Sequence, residues 1–285
     1  MNDILMQIRS DLPSFSKGQK RIANYILESY DKAAFMTASR LGKMVEVSES
    51  TVVRFAVELG FDGYPSMQKT LQELVRNKLT SVQRIEVTND RLGNQDVVST
   101  VLQGDIDSIR MTSEALSRSE MAASVQAMLK AKTIYIVGVR SSASLAAFLN
   151  FYLRNMFDNV RLVGSTSTSE MFEQLLRVGK EDVVIGISLP RYSSRTVKLL
   201  QYAHDSGATV VTITDKPEAP GGKVADLVLC AKSNMVSFVD SLVAPMSVVN
   251  ALIVSVGLQQ EDSVAKTYED LERIWDEYDA FERVE

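Results

Sequence analysis

The chain has one cysteine, one histidine and one tryptophan in 285 residues, and only six prolines. A single cysteine excludes an internal disulfide. Cys230, set in Asp226-Leu-Val-Leu-Cys-Ala231, reads as a buried strand position rather than a reactive thiol. One histidine with one cysteine provides no metal-ligand cluster, so no metal is expected. His204 precedes Asp205-Ser-Gly207 at the end of a helical pattern, where a histidine suits the helix dipole better than it suits catalysis. A Walker phosphate loop and a dinucleotide glycine fingerprint are both missing, so no nucleotide cofactor is expected. No stretch approaches the roughly 20 apolar residues that a membrane span needs. The opening Met1-Asn-Asp-Ile-Leu-Met-Gln-Ile-Arg9 lacks the basic-then-apolar order of a signal peptide. A cytoplasmic location with no membrane partner is therefore expected.

Strong basicity is also lacking, the net charge being −5. The charge is uneven, however. Eleven Lys and Arg stand against nine Asp and Glu through Lys78, a net of +2, and twenty against twenty-seven beyond it, a net of −7. That asymmetry permits nucleic-acid contact by the first part alone. The length allows about two domains, and composition divides the chain into residues 1–78, a connector at 79–94 and residues 95–285.

Residues 1–78 read as all-helical. Ser16 is placed to cap a helix carrying Ile22, Ala23, Ile26 and Leu27 on one face, and Thr37 to cap a short helix through Met44. Ser48 begins and Gly60 ends a third, Ser48-Glu-Ser-Thr-Val-Val-Arg-Phe-Ala-Val-Glu-Leu-Gly60. Two short helices joined by a tight turn make a helix-turn-helix. Val52, Phe55, Ala56 and Leu59 share its core face, whereas Glu49, Ser50, Val53, Arg54 and Val57 share the other. Two readings account for exposed valines there. A recognition helix would set them on thymine methyls while Ser, Thr and Arg reach base edges or phosphates; a helix hairpin would pack them on a partner subunit.

Leu79–Asn94, with scattered charge and few large apolar residues, reads as the connector. Gln95–Lys130 is again helical, with a break near Ser117 and Ser119 as the cap of the next helix. Beyond it strands and helices alternate. The strands are Thr133–Val139, Val160–Val163, Asp182–Ser188, Ala208–Thr214 and Asp226–Ala231. The helices are Ala143–Phe157, Ser167–Leu176, Ser194–His204 and a short Lys216–Val224, with Ser241–Leu258 and Ser263–Glu285 to follow. Near-continuous Val/Ile strands with helices between them predict a doubly wound α/β sandwich around a five-stranded parallel sheet. Ligands in that class sit beyond the carboxyl ends of the strands.

Two strand ends carry hydroxyls onto a helix start. Thr133-Ile-Tyr-Ile-Val-Gly-Val-Arg-Ser-Ser-Ala-Ser144 places Ser141 and Ser142 where backbone N–H groups and the helix dipole favour an anion. The other reading makes these serines helix caps only. Asp182-Val-Val-Ile-Gly-Ile-Ser188 runs into Leu-Pro-Arg191-Tyr192-Ser193-Ser194-Arg195, with Arg191 a candidate phosphate ligand. Ser165 to Ser169 add hydroxyls to the same edge. Asp240, at the head of a long apolar helix, either touches a sugar hydroxyl or belongs to the helix cap.

The strings Lys20-Arg-Ile-Ala-Asn-Tyr-Ile-Leu27, Val47-Ser-Glu-Ser-Thr-Val-Val-Arg-Phe55 and Leu59-Gly-Phe-Asp-Gly-Tyr-Pro65 resemble the N-terminal helix-turn-helix of RpiR-type bacterial transcription regulators. Residues from about 130 to 258 resemble the sugar isomerase (SIS) domain that follows it in that family. The resemblance implies binding of double-stranded operator DNA by the first domain and sensing of a phosphorylated sugar by the second. It implies a dimer or tetramer on an inverted-repeat operator, in control of carbohydrate genes. On the DNA side it points to Ser48, Glu49, Ser50, Thr51 and Arg54, with Lys20 and Lys43 for phosphates. On the effector side it points to Arg140, Ser141, Ser142, Ser188, Arg191, Tyr192, Ser193 and Asp240. The usual second loop is Ser-x-Ser-Gly-x-Thr or Ser; here Pro190 replaces its middle serine and Arg191 its glycine, and Arg140 stands where a glycine is common in the first. Isomerases on this fold need a glutamate base and usually a histidine. Neither is suitably placed, so no catalytic residue and no enzyme activity are expected. The alternatives are a phosphosugar isomerase with an accessory helical domain and a SIS module whose helices recruit protein.

Overall fold

The computed structural model describes residues 4–78, 80–92, 96–232 and 237–281. They form two compact units: the first comprises the described residues through Val101 together with residues 237–239, and the second the described residues from Leu102 onward apart from these.

The first unit is helical: α1 (Ile4–Asp11), α2 (Lys17–Ala33), α3 (Ala38–Met44), α4 (Glu49–Glu58), α5 (Tyr64–Lys78) and α6 (Ser81–Leu92), with a 3-10 turn at Leu12–Ser14. The caps read from sequence are present. Ser16 and Gln19 form a reciprocal capping box on α2, Thr37 accepts from the Arg40 N–H, and Ser48 accepts from the Thr51 N–H. Gly60 adopts φ +87° just past α4, where a residue without Cβ costs least. Val52, Phe55, Ala56 and Leu59 are buried in one cluster with Ile8, Ile22, Ile26, Leu41, Met67 and Leu71. Phe15 and Phe55 meet edge to face at 5.1 Å inside it.

The connector carries no secondary structure in the reading from sequence, and the structure supplies a helix. Between Leu79 and Gly93, which lie outside the described residues with Asn94 and Gln95, it is the helix α6. The reason is local: Thr80 and Gln83 form a second reciprocal box, the Thr80 N–H donating to Gln83 and the Gln83 N–H to the Thr80 hydroxyl.

Helix α7 (Val97–Ala115) leads into the second unit, followed by α8 (Arg118–Lys130). Its cap is Ser117 and not Ser119, because Glu120 supplies the N–H that Ser117 accepts; the Ser119 hydroxyl only bonds to that of Ser117. Then come β1 (Thr133–Gly138), α9 (Ser142–Leu153), β2 (Val160–Val163), α10 (Thr168–Gln174), β3 (Asp182–Ile187), α11 (Ser194–Asp205), β4 (Thr209–Thr214), β5 (Leu227–Cys230), α12 (Val243–Gly257) and α13 (Glu261–Glu277). The predicted helix at Lys216–Val224 is reduced to a 3-10 turn at Gly222–Val224, since Pro217 and Pro220 each remove a helical N–H.

The sheet is parallel throughout, in the order β2-β1-β3-β4-β5. Every residue of β1 and β3 is buried, as expected of central strands covered on both faces. Leu145, Leu149, Val248 and Leu252 from α9 and α12 cover one face, and Met171, Leu199 and Leu200 from α10 and α11 the other. From β1 the chain crosses to β2 on one side, and from β3 to β4 on the other. The order therefore reverses between β1 and β3, and their carboxyl ends open the crevice in which such sheets hold ligands. Among the described residues no single helix is long and apolar enough to cross a membrane.

One buried group in the first unit makes its stability depend on pH. The Tyr64 hydroxyl is buried and donates to the Met36 carbonyl at 2.7 Å, and burial pushes its pKa from 10 up to about 12. Folding favours the neutral phenol, so the contribution is whole below pH 10 and disappears as pH rises toward 12. Wild type should lose on the order of 2 kcal/mol of stability across that window beyond what Tyr64→Phe loses, and the variant should cost about 1 kcal/mol at pH 7. Urea unfolding at pH 7, 10 and 11.5 measures both.

Candidate functional site

The crevice between β1 and β3 is walled by three loops. The first turns sharply out of β1. A Cβ on Gly138 would fall 2.7 Å from the Ser142 carbonyl oxygen and 2.9 Å from the Ala146 Cβ, so only glycine lets α9 start so close to the strand. Two residues on, Arg140 takes φ +58°, a left-handed conformation rarely adopted by a residue with a long side chain. Ser141 precedes α9 without a side-chain capping bond, and Ser142 is buried in its first turn. The reading of these serines as side-chain caps therefore does not hold.

The second loop, Ser188–Ser193, follows β3 and contains a cis peptide between Pro190 and Arg191. The Tyr192 hydroxyl donates to the Asp215 carboxylate at 2.7 Å, which ties this loop to the end of β4. Ser188 points elsewhere. A Cβ on Gly221 would meet its Oγ at 3.3 Å, which places the hydroxyl under the turn after β4. The third loop follows β2 and is held by its own helix and by α11. The Gln174 amide bonds both the N–H and the carbonyl of Gly164, at 3.1 Å each. Ser165 donates to the Glu170 carboxylate, and Arg195 donates to the Thr166 carbonyl at 3.1 Å.

Together these loops enclose a cavity of about 760 Å³, the size of a small-molecule site. Its lining includes Gly138, Val139, Arg140, Ala143, Gly164, Ser165, Thr166, Arg191, Tyr192, Ser193, Ser194 and Arg195. Of the effector residues read from sequence, Arg140, Arg191, Tyr192 and Ser193 stand on this wall. Ser141, which is exposed, and the buried Ser142 and Ser188 are not part of the lining, and Asp240 lies on the approach to α12, also outside it. Ser165 and Thr166, read from sequence as hydroxyls on the same edge, also line the cavity, and so does Arg195, which was not singled out. Arg195 did carry a signal: a cation in the first turn of a helix opposes the dipole and calls for an anion or a carbonyl. The guanidiniums of Arg140 and Arg191 make no hydrogen bond or ion pair among the described residues. Guanidiniums left open beside hydroxyls and two helix N-termini are suited to binding a phosphate or carboxylate in a bidentate fork.

A second candidate surface lies on α3 and α4. A Cβ on Gly42 would fall 2.8 Å from the Val47 carbonyl oxygen, so a glycine in α3 permits the tight turn into α4. Glu46 turns there at φ +53°, and its carboxylate meets Arg21 at 3.3 Å. Glu49, Ser50, Val53, Arg54 and Val57 are exposed along one face of α4, with Val57 55% exposed. Ser48, Ser50 and Thr51 join hydroxyls at 2.8 Å at the N-terminus. Lys43 is exposed on α3 and Lys20 half-buried on α2. Arg54 has no bonded partner among the described residues.

Residues 2–78 match the helix-turn-helix domain of the rpiR family, and residues 127–255 match the SIS domain. The chain belongs to the RpiR family. An uncharacterized HTH-type transcriptional regulator from Caldanaerobacter subterraneus is 23% identical over 96% of this chain and 97% of its own. The sugar isomerase domain of an RpiR transcription factor from Sphaerobacter thermophilus superposes with a TM-score of 0.60 at 25% identity, over 63% of this chain and 99% of that one. The NanR protein of Vibrio vulnificus, solved in complex with ManNAc-6P, superposes with a TM-score of 0.58 at 22% identity, over 95% and 98%. In this RpiR-family chain the helix-turn-helix match coincides with α1 to α5, and the SIS match contains the whole sheet and the cavity above it.

The left-handed Arg140 gives the site a measurable cost. Arg140→Gly should stabilise the ligand-free second unit by about 1 kcal/mol, because glycine takes the same φ without the Cβ clash. Urea unfolding of the two proteins at low salt measures this.

Proposed function

We propose that the chain is a DNA-binding transcription regulator that reads an operator with α4 and changes that binding when a phosphorylated sugar occupies the cavity above β1 and β3. The observation that carries this reading is the cavity itself. Three guanidiniums and several hydroxyls converge at the switch point of a SIS sheet, in a chain that also bears a helix-turn-helix. On the DNA side, Val53 and Val57 meet thymine methyls, Arg54, Ser50 and Glu49 face base edges, and Thr51, Lys20 and Lys43 serve phosphates. Ser48 acts by capping α4 and holding Ser50 and Thr51 in place. On the effector side, Arg140, Arg191 and Arg195 grip the phosphate, while Ser193, Ser165 and Tyr192 face the sugar hydroxyls. NanR, bound to ManNAc-6P on the same fold, supports a phosphorylated sugar as the ligand class.

A ligand switches an equilibrium only by binding its two states unequally. The connector at 79–94 and the following helix α7 transmit that difference between the sensing and the reading domains. The protein works as a dimer or tetramer on an inverted repeat, since a two-fold protein reads a two-fold site. Helix α13 supports this: none of its residues is buried, and Tyr268, Leu271, Ile274 and Trp275 form an apolar face for a neighbouring subunit. A DNA reader of this kind acts in the cytoplasm, on carbohydrate genes. The reading includes no turnover, because the cavity lining holds no Asp, Glu or His to serve as a base.

Fluorescence anisotropy on the DNA upstream of its own gene tests the first half. Affinity should fall steeply with salt, and Arg54→Ala should weaken binding roughly 5- to 150-fold. No binding at any salt concentration would overturn the DNA reading. A thermal-shift panel of sugar phosphates tests the second half. At least one should raise the melting temperature at millimolar concentration, and a flat panel would remove the sensor.

A further inference from the structure

The lining of the cavity includes three arginines, Arg140, Arg191 and Arg195, and no Asp or Glu. The nearest carboxylates lie behind it, Glu170 accepting from Ser165 and Asp215 from Tyr192, so both are engaged by lining hydroxyls. Arg195 spends one N–H on the Thr166 carbonyl and keeps the rest of its fork. The N-termini of α9 and α11 add roughly half a positive charge each. A phosphate monoester brings about −1.5 to −2 at neutral pH. Set against three arginines and two dipoles, one phosphate leaves the site with an excess of positive charge.

The cationic groups are also spread out. Arg140 follows β1 and Arg191 follows β3, while Arg195 reaches across to the loop after β2. With β2, β1 and β3 adjacent and parallel strands about 4.8 Å apart, the outer two lie roughly 10 Å from each other. That is the span of a six-carbon chain charged at both ends. Ser188, which would supply a hydroxyl to a single phosphate, is turned away toward Gly221 and Thr212. Its Oγ has no hydrogen-bond partner among the described residues.

From this arrangement we infer that the effector is a phosphorylated sugar derivative carrying a second anionic group, a carboxylate or another phosphate, at the far end of the carbon chain. The inference rests on the phosphosugar reading above and narrows it. Arg140 and Arg191, which replace small residues at the mouths of the two loops, select this class over simple sugar phosphates.

Three probes share one carbon chain and differ only at C1: sorbitol 6-phosphate, 6-phosphogluconate and sorbitol 1,6-bisphosphate. ManNAc-6P serves as a further ligand with a single anionic group. Calorimetric titration of the full chain at fixed salt should show 6-phosphogluconate, sorbitol 1,6-bisphosphate or both binding at least tenfold tighter than either probe with a single anionic group, and which of the two leads identifies the second group. Arg140→Gly and Arg191→Ala should each reduce that ratio at least threefold, and the expected stability of Arg140→Gly separates lost selectivity from lost folding. Equal affinities, a preference for ManNAc-6P or sorbitol 6-phosphate, or an unchanged ratio in both variants would overturn the inference and leave the phosphosugar reading standing. Silence of all four probes would remove that reading, and the inference with it.

Discussion

The contact on which the second domain depends is the approach of β1 to its own following helix. With no Cβ at Gly138, the backbone of α9 starts in van der Waals contact with the strand, and the N-terminus of that helix faces the sheet edge. Everything at the site follows from this. The chain has three residues in which to turn, and one of them, Arg140, takes a left-handed φ to do so. The same turn withdraws Ser142 into the core and leaves Arg140 on the open side. A close backbone contact thus decides which side chains meet solvent in the cavity. Strain of order 1–3 kcal/mol at a residue that could have been glycine is retained where the side chain has a use.

The first domain repeats the device. Gly42 lets the turn before α4 lie on α3, and Glu46 adopts φ +53° in that turn. There the arginine partner is internal: Arg21 meets the Glu46 carboxylate in an exposed pair worth at most about 1 kcal/mol. The contrast with Arg140 is informative. Both positions accept a strained backbone, yet Glu46 holds an ion pair within its own domain, whereas the Arg140 guanidinium has none among the described residues. Positive φ at Glu46 serves the helix-turn-helix geometry; at Arg140 it presents a cation to a cavity.

Elements whose causes are local were legible in the sequence. The caps at Ser16, Thr37 and Ser48 are i, i+3 patterns, and the buried face of α4 is a 3.6-residue period. The strands read as Val/Ile runs to within a residue or two because central parallel strands are buried on both faces. Where the reading departed, a rule of equal range had been passed over. The Ser117 cap, which accepts from the Glu120 N–H, and the reciprocal box at Thr80-x-x-Gln83 decide the start of α8 and the helicity of the connector. The cavity wall was legible only in part. That Arg140 and Arg191 end neighbouring strands follows from the fold class. That Arg195 bonds to Thr166, 29 residues away, and that Ser188 faces Gly221 depend on how loops cross a sheet edge, which no periodicity encodes.

The choice between hydroxyls and guanidiniums has a further physical consequence. A hydroxyl loop recognises a phosphate through short neutral-to-charged hydrogen bonds and discriminates by shape. Guanidinium forks give stronger, charge-assisted bonds but act on any planar anion within reach. They are also exposed here, so water and salt screen them until a ligand closes the cavity. Binding therefore strengthens as the site desolvates, and the gain is largest for a ligand that engages all three arginines together. Such a ligand ties the loops after β1, β2 and β3 to one another, because Arg195 already links α11 to the β2 loop and Tyr192 links the β3 loop to β4. An anion held at one end would leave the loops free to move separately. An anion held at both ends makes the edge of the sheet a single body, which is the kind of change that a connector helix can pass on.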